Sequence, residues 1–203
     1  TVDFALSLAV FFLAVVIHEY AHGMVSFLLG DKTAKYAGRL TLNPLAHIDP
    51  LGTIFLPIIL LITKSPIVFG WAKPVPINYW ALRNPKRDIL WVGLAGPLAN
   101  IIIAFIMSLF LRSGFNPDSL LVFIFKKAIA INLVLAAFNL IPIPPLDGSR
   151  VVVSLLPKGA ANQFAKLEKY GIFIIFILLY FNILDPIIRA ILKALTSLLN
   201  INF

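Results

Sequence analysis

The amino-acid sequence predicts an all-α polytopic membrane protein, with a core of three helices and one or two further membrane or interfacial helices near the C-terminus. Of the 203 residues, 60% are hydrophobic and 13% are charged, and the mean hydropathy of +0.96 is far above that of an ordinary water-soluble domain. The residues from Ile89 to Leu111 also form an uncharged run between Asp88 and Arg112. That run is long enough to cross about 30 Å of hydrocarbon as a helix.

Three long apolar stretches account for the predicted core. Residues 4–29 form a helix that is apolar up to the polar letters HEYAH and ends at Gly30. The second span covers residues 89–111. The third begins at Leu120, contains no charge beyond Lys127, and ends near Pro142.

The region between the first two spans differs in kind. Residues 30–88 contain eight Lys or Arg and seven Pro, which predicts a small irregular or β-containing re-entrant region. Its apolar patch, residues 51–63, is short for a span and contains Pro57. We expect this patch not to cross the bilayer.

The C-terminal third alternates between polar and apolar segments. Residues 149–170 carry several charges and predict an aqueous loop with a short helix at VVVSLL. A fourth apolar segment follows at 171–184, and beyond Pro186 apolar residues recur at helical spacing with basic residues between them. This last pattern is typical of an interfacial helix or a final span.

No internal repeat or low-complexity tract divides the chain. We therefore predict a single domain, residues 1–203, with a core at about 4–156 and C-terminal membrane segments at about 171–199.

Charge and cysteine content restrict the possible partners and ligands. The net charge is +8 and the pI is about 9.9, but the basic residues are scattered between apolar runs and accompany no nucleic-acid-binding motif. They indicate membrane topology, so we expect the lipid bilayer, and no nucleic acid, as a partner. Because the chain has no Cys, any bound metal must use His, Asp or Glu.

The most specific motif is H-E-x-x-H at His18, Glu19 and His22. On a helix this spacing places two imidazoles on one face, where they can bind Zn²⁺, and places the Glu beside a water on the metal. The alternative is a pair of buried structural histidines. That alternative leaves an ionisable triplet in an apolar helix without a purpose, so we favour the metal site.

A catalytic zinc site of this type needs a third protein ligand. Asp147 directly follows a membrane run, where an unpaired carboxylate is unfavourable, and it is the preferred candidate. His47 is the alternative ligand, or else a solvated loop histidine. Asp147 itself is alternatively a helix cap, because it precedes Gly148 and a short apolar run.

Taken together, these motifs resemble the site-2 protease family of intramembrane zinc metalloproteases. The resemblance rests on HEYAH, on AGPLAN at 95–100, on NPLAHIDP and GWAKPVPIN, and on FNLIPIPPLDG at 138–148. It covers residues 4 to about 156 and is closest to the compact prokaryotic members without PDZ or CBS domains. Ser149 departs from the family pattern, in which a second Gly is common.

The resemblance implies specific roles for these residues. It implies that His18, His22 and Asp147 bind zinc, that Glu19 is the general base, and that Asn139 lies beside the reacting carbonyl. Asn139 also shares a helical face with Asn132, so a hydrogen bond between helices is an equally good explanation for it. The implied activity is hydrolysis of peptide bonds in or near transmembrane segments, with single-span membrane proteins as substrates.

Two other functions are possible for the same residues. A metal transporter or channel would use them as a transit site, but it would need further acidic or His residues along a path through the bilayer, and the sequence offers almost none. A catalytically inactive scaffold would be expected to have lost Glu19, which is present.

Shared metal binding also constrains the topology. His18 and Asp147 must lie at the same depth, so spans one and three must run in the same direction with span two returning between them. Residues 30–88 and 149–170 together hold twelve Lys or Arg, against three in 112–127. The positive-inside rule then predicts that the active site faces the cytoplasm. The resemblance to compact prokaryotic members of the family implies the plasma membrane of a prokaryote. The segment GWAKPVPIN is either an extended edge that pairs with an unwound substrate or a plain loop.

Overall fold

A computed structural model describes residues 2–55, 58–59, 62–63, 72–116 and 119–201 of the chain. Within that part of the chain, regular secondary structure is helical and no strand occurs. The α-helices are α1 (Val2–Leu28), α2 (Thr33–Tyr36), α3 (Pro85–Arg112), α4 (Leu120–Asn139), α5 (Gly148–Leu155), α6 (Lys158–Ala165), α7 (Gly171–Tyr180) and α8 (Leu184–Leu198). Short 3-10 or π turns occur at Pro44–His47, Pro50–Phe55, Tyr79–Ala81 and Lys166–Tyr170.

Three of these helices, α1, α3 and α4, are long and apolar enough to cross a membrane. They begin and end within a few residues of the predicted spans, which confirms the prediction of a polytopic helical core. Many large apolar side chains on them are exposed, among them Phe4 and Ile102. Exposed apolar side chains are expected where a helix contacts lipid rather than water.

Helix α3 lies between α1 and α4 and runs antiparallel to both. The side chain of Asn100, in the middle of α3, donates hydrogen bonds to the carbonyl of Ala14 on α1 (3.2 Å) and to Oδ1 of Asn132 on α4 (2.7 Å). In the N-terminal halves of both helices, Lys127 Nζ of α4 lies 2.7 Å from Asp3 Oδ1 of α1. Helices α1 and α4 therefore run in the same direction, as the shared-metal argument predicts.

The region between α1 and α3 returns to the end of the bundle from which it left. The backbone N–H of Arg83 donates to the carbonyl of Leu29 (3.0 Å), so the end of α1 lies beside the start of α3. Its described part contains short helical turns and an extended segment at 72–78, so the irregular alternative holds and no β-structure is found there. Residues 56, 57, 60 and 61 lie outside the described residues, and the expectation that 51–63 does not cross the bilayer stays a prediction.

The C-terminal helices pack against α4 and the turn that follows it. The helical stretch Lys158–Tyr180 bends by 89° into α8, and together they make a candidate broken fourth span. Leu184 is fully buried and clusters with Ile141 and Ile175, whereas Leu195 packs with Leu133 of α4. The predicted short helix after Asp147 is α5.

Candidate metal centre

Helix α1 supplies the H-E-x-x-H motif from its last third. His18 and His22 are buried, with 4% and 6% of their surface exposed, and their Nε2 atoms are 3.0 Å apart. The two residues share a face because they are four positions apart on a helix. Glu19 is half-buried beside them.

Asp147 reaches the same point from the turn that follows α4. Its Oδ2 lies 2.9 Å from Nε2 of His18 and 3.2 Å from Nε2 of His22. Asp147 precedes α5, but its side chain makes no capping hydrogen bond, so the cap alternative does not account for it.

Each imidazole is oriented by a partner on α3. His18 Nδ1 lies 2.6 Å from Oδ1 of Asn100, and His22 Nδ1 lies 2.7 Å from the carbonyl of Val92. Both partners are placed as hydrogen-bond acceptors, so both Nδ1 atoms donate. In the neutral imidazoles the hydrogen is then on Nδ1, and the Nε2 lone pairs face each other and Asp147.

This arrangement fits a bound divalent cation. Three lone-pair atoms converge within about 3 Å of one another, and a single proton shared among them would satisfy only one of the three contacts. A tetrahedral Zn²⁺ with bonds of about 2.0–2.1 Å holds its ligand atoms about 3.3 Å apart, close to the spacing found. Partners that accept a hydrogen bond from the outer ring nitrogen are typical of zinc-binding histidines.

Gly96 of α3 leaves room for the centre. A Cβ at this position would clash with Nε2 of both His18 and His22. Any larger residue would therefore displace the imidazoles, which explains a glycine inside a membrane-spanning helix.

Glu19 is held beside the three converging atoms by the extended segment 72–78. The backbone N–H of Val75 donates to Glu19 Oε2 at 2.8 Å. This contact uses one carboxylate oxygen and leaves Oε1 available to accept a proton. Glu19 lines the polar cavity together with His18, His22 and Asp147, and its role as general base stays a prediction.

Two cavities of about 460 Å³ each meet at this point. One is mainly apolar and is lined by side chains of α1, α4 and α7, such as Phe11, Phe138 and Phe176. The other is polar and is lined by residues that include Asp147 and Arg150. Residues common to both are His18, Glu19, Pro74, Asn139 and Pro145. The junction can therefore receive an apolar chain from one side and water from the other.

Asn139 lines this junction, as predicted. One hydrogen of its amide nitrogen is donated to the carbonyl of Leu135 on its own helix (3.0 Å). An amide nitrogen has two hydrogens, so one donor is left for the cavity. The hydrogen bond between helices that was the alternative explanation for Asn139 is instead made by Asn132, with Asn100.

His47, the alternative third ligand, is elsewhere. It is buried, and its Nε2 contacts the carbonyl of Thr41 at 2.9 Å. In the part of the chain that the structure describes, His18, His22 and Asp147 are the residues grouped closely enough to hold a metal ion. Their role as ligands stays a prediction, with the geometry now in its favour.

Sequence reasoning missed two participants in the centre. Asn100 received no role at the site, yet it orients His18 and also donates a hydrogen bond to Ala14 on α1. Gly96 received no role. Both belong to the AGPLAN motif, and an amide and a small residue four positions apart inside a membrane span were the available signal.

Comparison with known proteins identifies the family. The model of peptidase family M50 matches residues 114–182, which include Asn139 and Asp147. YwhC of Bacillus subtilis, named as a candidate zinc metalloprotease, is 41% identical over 171 residues, covering 80% of this chain and 74% of YwhC. Rip2 of Mycolicibacterium smegmatis, named in the same way, is 28% identical over 180 residues, covering 87% of this chain and 67% of Rip2.

A third similar protein comes from an archaeon. The zinc metalloprotease MJ0392 of Methanocaldococcus jannaschii is 33% identical over 128 residues, which cover 60% of this chain and 37% of that protein. No solved structure matches the chain. With 41% identity to YwhC over most of both proteins, and with the H-E-x-x-H and L-D-G motifs meeting at one centre, the chain belongs to peptidase family M50.

Proposed function

We propose that this protein is a zinc-dependent endopeptidase that hydrolyses peptide bonds in or near the transmembrane segments of other membrane proteins. The observation that carries the proposal is the position of the centre. His18 lies 16 residues after the start of α1 at Val2, about 24 Å along a helix that is long and apolar enough to cross the bilayer. The named relatives support zinc as the metal.

The donor set explains how the metal would be held. His18, His22 and Asp147 would bind zinc and leave a fourth position open, as in catalytic sites. The bound ion supplies Lewis acidity, which polarises a carbonyl and eases the deprotonation of water. Asn100 and the carbonyl of Val92 keep both imidazoles in the tautomer that presents Nε2.

Glu19 is the proposed general base and then the general acid. Its Oε1 takes a proton from the attacking water and returns it to the leaving amine. The Val75 N–H holds Oε2 during both transfers.

Asn139 is proposed to stabilise the oxyanion. It lines the junction of the two cavities, and one of its amide hydrogens is not used by Leu135. A donor aimed at developing negative charge is typically worth about 2.7–4 kcal/mol in the transition state.

The substrates are proposed to be single-span membrane proteins. The apolar cavity, with three phenylalanines, suits the side chains of a transmembrane segment. A substrate helix protects its own carbonyls by hydrogen bonding and must unwind before cleavage. The extended segment 72–78 is proposed as an edge for the unwound chain, through those of its backbone groups that its contacts with Glu19, Arg39 and Asp31 leave available.

The membrane and its orientation are also proposed. The bacterial and archaeal relatives support the plasma membrane of a prokaryote. The excess of basic residues at the end of the bundle near the metal centre favours a cytoplasmic active site. The whole chain, residues 1–203, would act as one domain.

The position of the cut tests the proposal. The protein is reconstituted in liposomes with a single-span substrate, and the products are mapped by mass spectrometry. A cut within or at the edge of the substrate's apolar run, abolished by a zinc chelator, is expected. A matched control joins the same cleavage sequence to a soluble domain. Equal cleavage of the soluble version would refute intramembrane proteolysis. Cuts confined to the extramembrane part of the single-span substrate would refute it as well.

A further inference from the structure

The extended segment 72–78 is fixed at four places along its length. The N–H of Lys73 donates to the carbonyl of His47 (3.0 Å), and the N–H of Asn78 donates to Oδ2 of Asp31 (2.8 Å). Between them, the N–H of Val75 donates to Glu19. The fourth attachment comes from Arg39, whose Nη2 donates to the carbonyl of Lys73 (2.5 Å) and lies 3.4 Å from that of Pro74.

A buried arginine is an unusual residue for holding a backbone segment in place. Only 7% of its surface is exposed, and no described carboxylate lies within ion-pair distance of its guanidinium. A buried cation is costly unless its donors are satisfied, and here the nearby acceptors are two consecutive backbone carbonyls. Both contacts are made by the one nitrogen Nη2, at the end of a long side chain, and Nε has no hydrogen-bond partner among the described residues.

We propose that Arg39 is a positioning residue for Glu19, acting through segment 72–78. The carbonyl of Pro74 and the N–H of Val75 belong to one planar peptide group. By holding the carbonyls of Lys73 and Pro74, Arg39 therefore sets the orientation of the N–H that donates to Glu19. Pro74 and Pro76 have no N–H, so Val75 is the donor available to Glu19 at this point of the segment. The proposal rests on the proposed role of Glu19 as general base.

Packing on α1 supports the same geometry. Val75 is 6% exposed, and a Cβ at Gly23 would lie 3.1 Å from Cγ1 of Val75. Gly23 is four residues after Glu19, so the segment lies against the face of α1 that presents the glutamate. Arg39 thus holds the backbone of segment 72–78, and the side chain of Val75 packs that segment against α1.

The test compares Arg39→Met, which keeps an unbranched apolar stem without the donors, with Arg39→Lys, which keeps one donor group. Lys32→Gln is the matched control, because it removes one positive charge from an exposed position in the same loop. Zinc content, thermal stability, kcat and KM are measured for each purified protein. Hydrogen exchange of the peptide containing Val75 is measured as well, and it does not depend on activity.

We expect Arg39→Met to keep its zinc, to exchange the Val75 amide faster, and to lose about 100-fold in kcat with KM little changed, since small displacements of catalytic groups cost that much. Arg39→Lys should recover part of kcat, and Lys32→Gln should match the wild type. In the Glu19→Asp variant, the shorter side chain already holds the carboxylate away from its normal position. Adding Arg39→Met to that variant should therefore lower kcat much less than it does in the wild type.

Several results would overturn the inference. They are an unchanged kcat in Arg39→Met, a rise in KM alone, unchanged exchange at Val75, or effects of Arg39→Met and Glu19→Asp that simply add. If Arg39→Met does not fold, a folded Arg39→Lys with wild-type kcat and exchange would overturn it equally. A wild-type protein without proteolysis would instead refute the proposed function, while the exchange measurement still tests the positioning.

Discussion

His18 and His22 each use both ring nitrogens. The inner Nε2 atoms converge with Asp147 at 2.9–3.2 Å, and the outer Nδ1 atoms donate to groups on α3. The sequence predicts the inner contacts, because H-E-x-x-H has a defined geometry on a helix. The sequence does not predict the outer contacts. They depend on how far α1 and α3 are shifted along each other, and no pattern in the sequence sets that shift.

Removing the acceptor at Asn100 tests the outer contacts. Asn100→Leu keeps much of the volume but cannot accept from His18 Nδ1, so we expect zinc affinity to fall about 10- to 100-fold, the usual cost of losing such a partner. Competition with a chelator measures it. Asn100→Asp, which retains an acceptor, should lose much less. Equal affinity in Asn100→Leu and wild type would show that Asn100 serves only the contacts between helices.

At the scale of elements, the centre depends on the close approach of α1 and α3. Gly93 and Gly96 face the site: a Cβ at Gly93 would meet Arg150, and one at Gly96 would meet both imidazoles. Run length and charge predict these helices from sequence to within a few residues. Their mutual depth and rotation were not predictable, since they are set by contacts between distant residues such as Asn100 and Ala14.

Gly96→Ala tests this approach. We expect a loss of zinc and a destabilisation of about 1–3 kcal/mol, because an added methyl group at a packed contact strains its neighbours. Gly159→Ala is the control, since nothing lies within 4 Å of a Cβ there. Metal analysis and thermal unfolding in detergent provide the measurements. Full zinc occupancy in Gly96→Ala would contradict the described fit of the helices.

The junction between α1 and segment 72–78 depends on Asp31, which is fully buried. Burial raises the pKa of Asp31, but hydrogen bonds from Thr33, Asn78 and Ser26 outweigh it and lower that pKa below its ordinary value of 3.8. Its stabilisation is therefore complete above pH 3.8 and is lost as the pH falls through the folded-state pKa.

The substitution Asp31→Asn should cost about 2 kcal/mol near neutral pH, the scale of a charged hydrogen bond. The difference in thermal stability from wild type should shrink as the pH falls below 3.8. Asp185→Asn, at an exposed ion pair with Arg189, is the control. A difference that stays constant down to low pH would show that ionisation of Asp31 does not matter.

At the scale of the whole molecule, the shared metal centre constrains how the chain crosses the membrane. Helices α1 and α4 run together and α3 returns, as the sequence predicts from the need to bring His18 and Asp147 to one depth. The same reasoning did not predict how segment 72–78 is attached, because prolines and isolated polar residues carry no periodicity. It also left open whether the last helix is interfacial, and the structure shows a chain bent by 89° before it.

Cysteine labelling tests this topology directly, because the chain has no native Cys. Single cysteines at Lys35, Lys86 and Lys158, all exposed, should react with an impermeant reagent from one side of the membrane. A cysteine at Asn116 should react from the other side, and we expect the first side to be cytoplasmic. Labelling of Lys35 and Lys86 from opposite sides would mean that residues 51–63 cross the bilayer, or that Asp147 is not a ligand.

The central claim is that His18, His22 and Asp147 hold zinc while Glu19 performs the proton transfers. The most direct measurement compares wild type and Glu19→Gln for zinc content and for cleavage of a membrane-segment substrate by the same purified preparations. We predict equal zinc in both proteins and cleavage by the wild type alone, because an amide cannot accept the proton of the attacking water. Cleavage by Glu19→Gln at a rate comparable to that of the wild type would contradict the account.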